Sequence, residues 1–187
     1  IHVVFGHGGD QVREALADAD VSWIEQAEQL GTGHAVDQVM PLISDENTVL
    51  VLYGDVPLIT PETLQPMVEQ AGSGKLSVHT AVLDDPCGYG RMVRDDEGSL
   101  TSIVEHRDAS EEHLQIREIN TGFLAAPAGM LRGWLSKLDN SNVQGEYYLT
   151  DVIAMAAADG VPVESVGAAD EFEILGVNDR VQLATLE

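Results

Sequence analysis

The chain has 187 residues, 44% of them apolar, with 9 Lys plus Arg against 32 Asp plus Glu and a formal charge of −23. That apolar share can bury the core of one domain, which excludes a disordered or fibrous chain, and the excess of carboxylates disfavours nonspecific binding to nucleic-acid phosphate. No apolar run approaches the ~20 residues needed to span a bilayer, and the lone Cys87 cannot form an internal disulfide, so a soluble protein of a reducing compartment is expected, with no nucleic-acid or membrane partner.

The opening "IHVVFGHGGD" predicts a strand over Ile1 to Phe5 and, after its glycines, a helix over Asp10 to Ala17. It carries no charged region ahead of an apolar stretch and is not read as a signal peptide. A strand over Val21 to Ile24 follows, then a helix over Gly33 to Leu42, a strand over Thr48 to Tyr53, and a helix over Pro61 to Ala71 with proline well placed near its start. After a strand over Leu76 to Leu83, the segment "GYGRMVRDDEGSLTSIVEH" breaks the rhythm as two polar-apolar strands around "DDEG", a hairpin. The rest alternates: strand Ile119 to Ala125, helix Ala128 to Leu138, helix Tyr147 to Ala158, and strands Val161 to Val166 and Phe172 to Val177. Such alternation predicts an α/β fold, a doubly wound and mostly parallel sheet with the hairpin inserted beside it.

In an open parallel sheet, ligands bind beyond the carboxyl ends of the strands. Asp55, at the end of "VLVLYGDVPL", sits at such a place, either as a hard oxygen ligand for Mg²⁺ or as a turn former. Gly31-Thr32-Gly33 precedes a helix, where free N–H groups suit a phosphate or a base edge, although the spacing is that of neither a dinucleotide fingerprint nor a Walker loop, and a ligand-free turn has the same letters. Gln26 offers an amide with both donor and acceptor, as a pyrimidine edge requires. His34 reads as a helix residue, because nothing near it in sequence supplies a nucleophile. Gly90 lies in a glycine-rich turn that a ligand can approach closely or that simply enters the hairpin; Glu105 ends the hairpin and Asn120 with Thr121 lies inside an apolar strand, a carboxylate and an amide that suit the hydroxyls and amide of a sugar or are a pair of satisfied structural polars. Glu146 is placed at a helix start, and Asn178 offers a second oxygen at a strand end.

In order and spacing, "QAEQLGTGHAV", "VLYGDVPL", "DDPCGYGRMVR", "IVEHRDAS", "EINTGF", "NVQGEYYLTD" and "EILGVNDR" resemble the pyrophosphorylase domain of bacterial bifunctional N-acetylglucosamine-1-phosphate uridyltransferases. The resemblance covers nearly the whole chain and implies a nucleotide-diphospho-sugar transferase fold. It implies that Gln26 reads uracil and that the Gly31–Thr32 turn closes on the nucleotide. Tyr53, Gly54 and Asp55 would meet ribose and metal, Asp55 and Asn178 would share Mg²⁺, and Gly90, Glu105 and Asn120 would hold N-acetylglucosamine. The implied reaction joins UTP and N-acetylglucosamine 1-phosphate into UDP-N-acetylglucosamine and pyrophosphate, in the cytoplasm, for cell-wall precursors. Other readings are a nucleotidyltransferase for another sugar phosphate and a non-catalytic nucleotide-sugar binding module. The family's first strand with its glycine-rich phosphate loop and P-K lysine has no match in these letters, nor has its C-terminal β-helix, through which members trimerise and acetylate glucosamine 1-phosphate. The expectation is therefore that residues 1–187 are part of a longer enzyme, inactive alone.

Overall fold

The computed structural model of the chain describes residues 1–177 and 180–186. Strands β1 (His2–Phe5) and β2 (Ser22–Glu25) run parallel, linked by α1 (Gly9–Ala15), and form a two-stranded sheet of their own. The main sheet has six strands, β3 (Thr48–Val51), β4 (Leu76–Val82), β5 (Arg91–Arg94), β6 (Leu100–Val104), β7 (Glu118–Pro127) and β8 (Val163–Gly167). β4 lies parallel to β8, and β7 runs antiparallel to both β3 and β4, so β3, β4 and β8 share one direction. β5 and β6 form the predicted hairpin, turning at Gly98 with φ 84, a left-handed conformation that costs glycine little.

Successive side chains of a strand point to opposite faces, and β7 shows this period in its neighbours. Leu124 and Ala126 pack with Leu131 and Trp134 of α5 (Ala128–Leu135) and Val152 and Ile153 of α6 (Asp151–Ala158). Phe123 and Ala125 pack on the other face with Met67 and Ala71 of α3 (Pro61–Gly72). Helices thus cover both faces, the expected α/β layering. Because β4 occupies one edge of β7 along most of its length, β5 and β3 share the other: β5 meets it at Ile119 and β3 from Leu124 onward. The two strands leave a gap beside residues 120–123, and the candidate site is built there.

Several elements differ from the sequence reading. The helix expected over Gly33 to Leu42 is split into α2 (Thr32–Asp37) and a 3-10 turn at Met40–Leu42 around Pro41. The helix expected from Tyr147 begins only at Asp151, so Glu146 is in a loop rather than at a helix start; Tyr147 and Leu149 donate backbone N–H groups to Leu30 and Thr32 instead. The strand expected over Phe172 to Val177 is a 3-10 turn, Glu171–Ile174, followed by irregular chain. Asp170 caps that turn through the Phe172 N–H at 2.9 Å, and the buried Glu173 carboxylate accepts from Thr60 and Thr63, which holds the segment against the start of α3 rather than in the sheet. Two further helices, α4 (Glu111–Leu114) and α7 (Arg180–Leu186), complete the described residues. No helix among them is long and apolar enough to cross a membrane.

Candidate active site at the split between β3 and β5

Beyond β3 the chain turns at Tyr53, whose ring enters the gap. Gly122, at φ 96, makes room for it: a Cβ there would stand 2.4 Å from the ring. Thr32 stands beside the Tyr53 phenol, and Glu105 and Asp55 act on it through their charges. Burial first, then Glu105, pushes its phenol from 10.0 up to about 12. A raised phenol pKa keeps the folded state neutral while the unfolded chain ionises above pH 10. Its stabilisation is therefore complete below pH 10 and is lost as pH climbs toward 12, by roughly 2–3 kcal/mol. Urea unfolding at pH 8 and pH 11 should show about half of this loss in the native chain, roughly 1.4 kcal/mol, and a Tyr53→Phe chain should lose less; equal losses would place the alkaline sensitivity elsewhere.

The Gly31–Thr32 turn is clasped to the loop before α6. Gly33 N–H donates to the Tyr147 carbonyl at 2.8 Å, Tyr147 N–H to the Leu30 carbonyl at 2.8 Å, and Leu149 N–H to the Thr32 hydroxyl at 3.0 Å. One of the turn's amides is thereby committed within the protein, so the glycines serve close backbone packing, a role the sequence left open. Gln26, 8% exposed, donates from Nε2 to the Gly31 carbonyl at 3.0 Å.

On the hairpin side, Thr150 donates to Glu105 Oε1 at 2.8 Å. Thr150 is the N-cap of α6 yet makes no side-chain cap bond, its hydroxyl being committed to Glu105. Gly90 packs against Glu105 and accepts from the Asn120 N–H at 2.9 Å, and the Asn120 Oδ1 accepts from the Gly122 N–H at 3.0 Å, closing the turn under Tyr53. Gln26, Gly31, Thr32, Tyr53, Glu105, Gly90 and Asn120 thus form one connected run of contacts. Thr150 and Gly122 belong to it as well. Their only sequence signal was membership of "EYYLTD" and "EINTGF".

Two openings adjoin this run. A cleft of about 460 Å³ is lined by Tyr53, Asp55, Tyr89, Thr121, Leu175 and Gly176 among others, with no Lys or Arg among the described residues that line it. On the other sheet face, Asn120, Gly122, Tyr53 and Thr150 line a niche of about 10 Å³, room for about one water. Asp55 and Gly54 are exposed at the cleft, and no hydrogen bond or ion pair engages the Asp55 carboxylate among the described residues. The Asp55 carbonyl accepts from the Val177 N–H at 2.8 Å, and Asn178 itself lies outside the described residues. The surroundings are acidic: burial, then Asp139, Glu105 and Asp108, raise the Asp151 carboxyl above its ordinary value. No cluster of three or more His, Cys, Asp or Glu able to hold a metal occurs among the described residues. The donor set nevertheless fits Mg²⁺, which takes one or two protein carboxylates and fills its octahedron with water and substrate phosphate.

The MobA-like NTP transferase domain matches residues 1–118. The chain belongs to that family. As an NTP transferase it is similar across its full length to curated bacterial proteins, being 56% identical over 187 residues to the bifunctional protein GlmU of Alkalilimnicola ehrlichii and 57% identical to that of Stutzerimonas stutzeri. It spans 40% and 41% of those two proteins, about two fifths of their length. The resemblance read from the seven motifs is thereby borne out. Among solved structures, a UDP-glucose pyrophosphorylase complexed with UDP-glucose superposes with a TM-score of 0.69 at 16% identity, covering 89% of this chain and 72% of that one. HddC from Yersinia pseudotuberculosis gives a TM-score of 0.62 at 17% identity, covering 89% of this chain and 68% of that one. At such identities these two speak for the fold alone, the nucleotide-sugar transferase fold expected from the sequence.

Proposed function

We propose that this chain is the uridyltransferase part of a longer enzyme that makes UDP-N-acetylglucosamine and pyrophosphate from UTP and N-acetylglucosamine 1-phosphate. The observation that carries the reading is the connected run from Gln26 to Asn120, with an amide suited to a base edge at one end and a carboxylate-amide pair suited to an aminosugar at the other. The relatives named GlmU support it. A phosphate oxygen of the sugar phosphate attacks the α-phosphorus of UTP in line, a new P–O bond forms, the bond to the β-phosphate breaks, and pyrophosphate leaves; no side chain need become covalently attached. Gln26 and the Gly31–Thr32 turn orient the base, Tyr53 fixes the depth of the ribose end, and Glu105 and Asn120 bind sugar hydroxyls and the acetamido group.

Asp55 would hold Mg²⁺ together with Asn178, and the ion when bound would neutralise charge between two anionic reactants. That no Lys or Arg among the described residues lines the cleft is consistent with that need. The sugar niche has room for about one water, so an aminosugar enters only when Thr150 or Tyr53 draws back and Glu105 exchanges the Thr150 hydroxyl for a sugar hydroxyl. A cytoplasmic place, a cell-wall role and trimerisation through a separate domain belong to the same proposal.

The test is pyrophosphate release from UTP and N-acetylglucosamine 1-phosphate with Mg²⁺ by the full-length protein. Glu105→Ala should raise KM for the sugar phosphate about tenfold and leave KM for UTP within twofold, since about 1–3 kcal/mol rests on such a hydrogen-bonded group. No turnover of this substrate pair, or equal rises in both KM values with a lower Tm, would refute the reading.

A further inference from the structure

The Gln26 side chain is held by two acceptors. Its Nε2 lies 3.0 Å from the Gly31 carbonyl and 3.0 Å from His34 Nδ1. A carbonyl oxygen only accepts, so the amide must turn its NH₂ toward Gly31, and both amide hydrogens are then engaged. His34 Nδ1 meets an N–H and must offer its lone pair, which puts the imidazole proton on Nε2. With the proton on Nδ1, Gln26 would have to face its oxygen to His34 or leave two donors opposed. The His34 ring is itself fixed, tilted 36° to Tyr147 at 6.5 Å between centroids, on a backbone whose carbonyl accepts from Gln38 Nε2.

Gln26 Oε1 has no hydrogen-bond partner among the described residues, and it is not among the buried atoms left unsatisfied, so it is the amide's open atom. An acceptor fixed in this way pairs with a base edge that carries a ring N–H, as uracil does at N3. It opposes an edge with a bare ring nitrogen, as in cytosine. We infer that His34 is the positioning residue for nucleobase choice: by accepting one Gln26 hydrogen at Nδ1, it locks the amide with its oxygen outward and so selects UTP over CTP. The inference rests on the UTP reading above and adds the residue that enforces it.

The experiment compares kcat/KM for UTP and CTP in the full-length protein, in its native form and as His34→Leu and His34→Asn. Leucine keeps bulk without an acceptor, whereas the asparagine Oδ1 can take the place of Nδ1. The UTP/CTP ratio should fall about tenfold in His34→Leu, through KM for UTP with kcat unchanged, and recover in His34→Asn. ¹⁵N NMR of the native imidazole should show the Nε2–H tautomer, a readout that does not depend on any variant folding. An Nδ1–H tautomer, an unchanged ratio in His34→Leu, or an asparagine variant no better than leucine overturns the inference. A native enzyme that does not prefer UTP overturns the UTP reading as well, whereas native preference that survives in His34→Leu overturns this inference alone.

Discussion

Replacing Asp55 by Asn is expected to lower kcat/KM for pyrophosphate release by on the order of 10²–10³ while leaving Tm within about 1 °C, the size of effect seen when one preorganised electrostatic contact to a transition state is removed. The stability half follows from what Asp55 does not touch. Its side chain is exposed and engages no donor or cation among the described residues, so the isosteric amide breaks no contact, and one fewer negative charge on a chain of formal charge −23 relieves repulsion. The activity half follows from where it sits. Among the described residues no Lys or Arg lines the cleft beside it, yet the proposed reactants are both anions. Five of the chain's basic side chains are paired with carboxylates elsewhere, and a sixth, Arg91, is buried and donates to the Tyr89 carbonyl. If the proposed role holds, the Mg²⁺ concentration for half-maximal rate should rise in the variant. Near-native turnover at limiting Mg²⁺ would show that the carboxylate is not a ligand.

How far the letters reach is visible in the contrast between the hairpin and the segment after Asp170. "GYGRMVRDDEGSLTSIVEH" carries alternation on both sides of a glycine turn, and local pattern alone fixes β5 and β6. "FEILGV" carries a similar apolar density but folds as a 3-10 turn, because Glu173 finds Thr60 and Thr63 more than a hundred positions away, a partnership that no local window contains. Tyr147 misleads in the same way. Its helix propensity is overridden by Leu30 and Gly33, whose backbone groups it pairs.

The site divides along the same line. Side-chain chemistry marked Gln26, Asp55, Glu105 and Asn120 as polar groups needing a reason, and the motif resemblance gave them roles. Their geometry depends on residues with no chemical mark of their own. Gly122 gives Tyr53 its place and Thr150 engages Glu105, and both act across the chain. His34 is the reverse case: its type drew attention, but only its place one helical turn beyond Gly31 brings its Nδ1 to 3.0 Å from Gln26 Nε2.

Gly31→Ala should be strongly destabilising, costing about 3–5 kcal/mol of folding stability through a non-glycine residue in a forbidden backbone region and overlap with fixed atoms. Gly31 has φ 112 and ψ 174, where an L side chain is strained whatever the space around it. A Cβ there would also stand 2.6 Å from the Tyr147 carbonyl oxygen and 2.8 Å from its nitrogen. Those atoms cannot step aside cheaply, because each is already hydrogen-bonded at 2.8 Å, to Gly33 and Leu30. Relief would part the Gly31–Thr32 turn from the loop before α6, and with it the carbonyl that holds Gln26, so nucleotide use should fall in whatever fraction remains folded. Gly54→Ala is the control: it lies at the same site, with nothing within 4 Å of its Cβ position and no positive φ, and should stay within about 0.5 kcal/mol of the native chain. Urea melts of the two variants decide it. A Gly31→Ala chain as stable as Gly54→Ala would mean that the turn and the loop are not held together as described, and that the run of contacts joining Gln26 to Asn120 does not depend on this clasp.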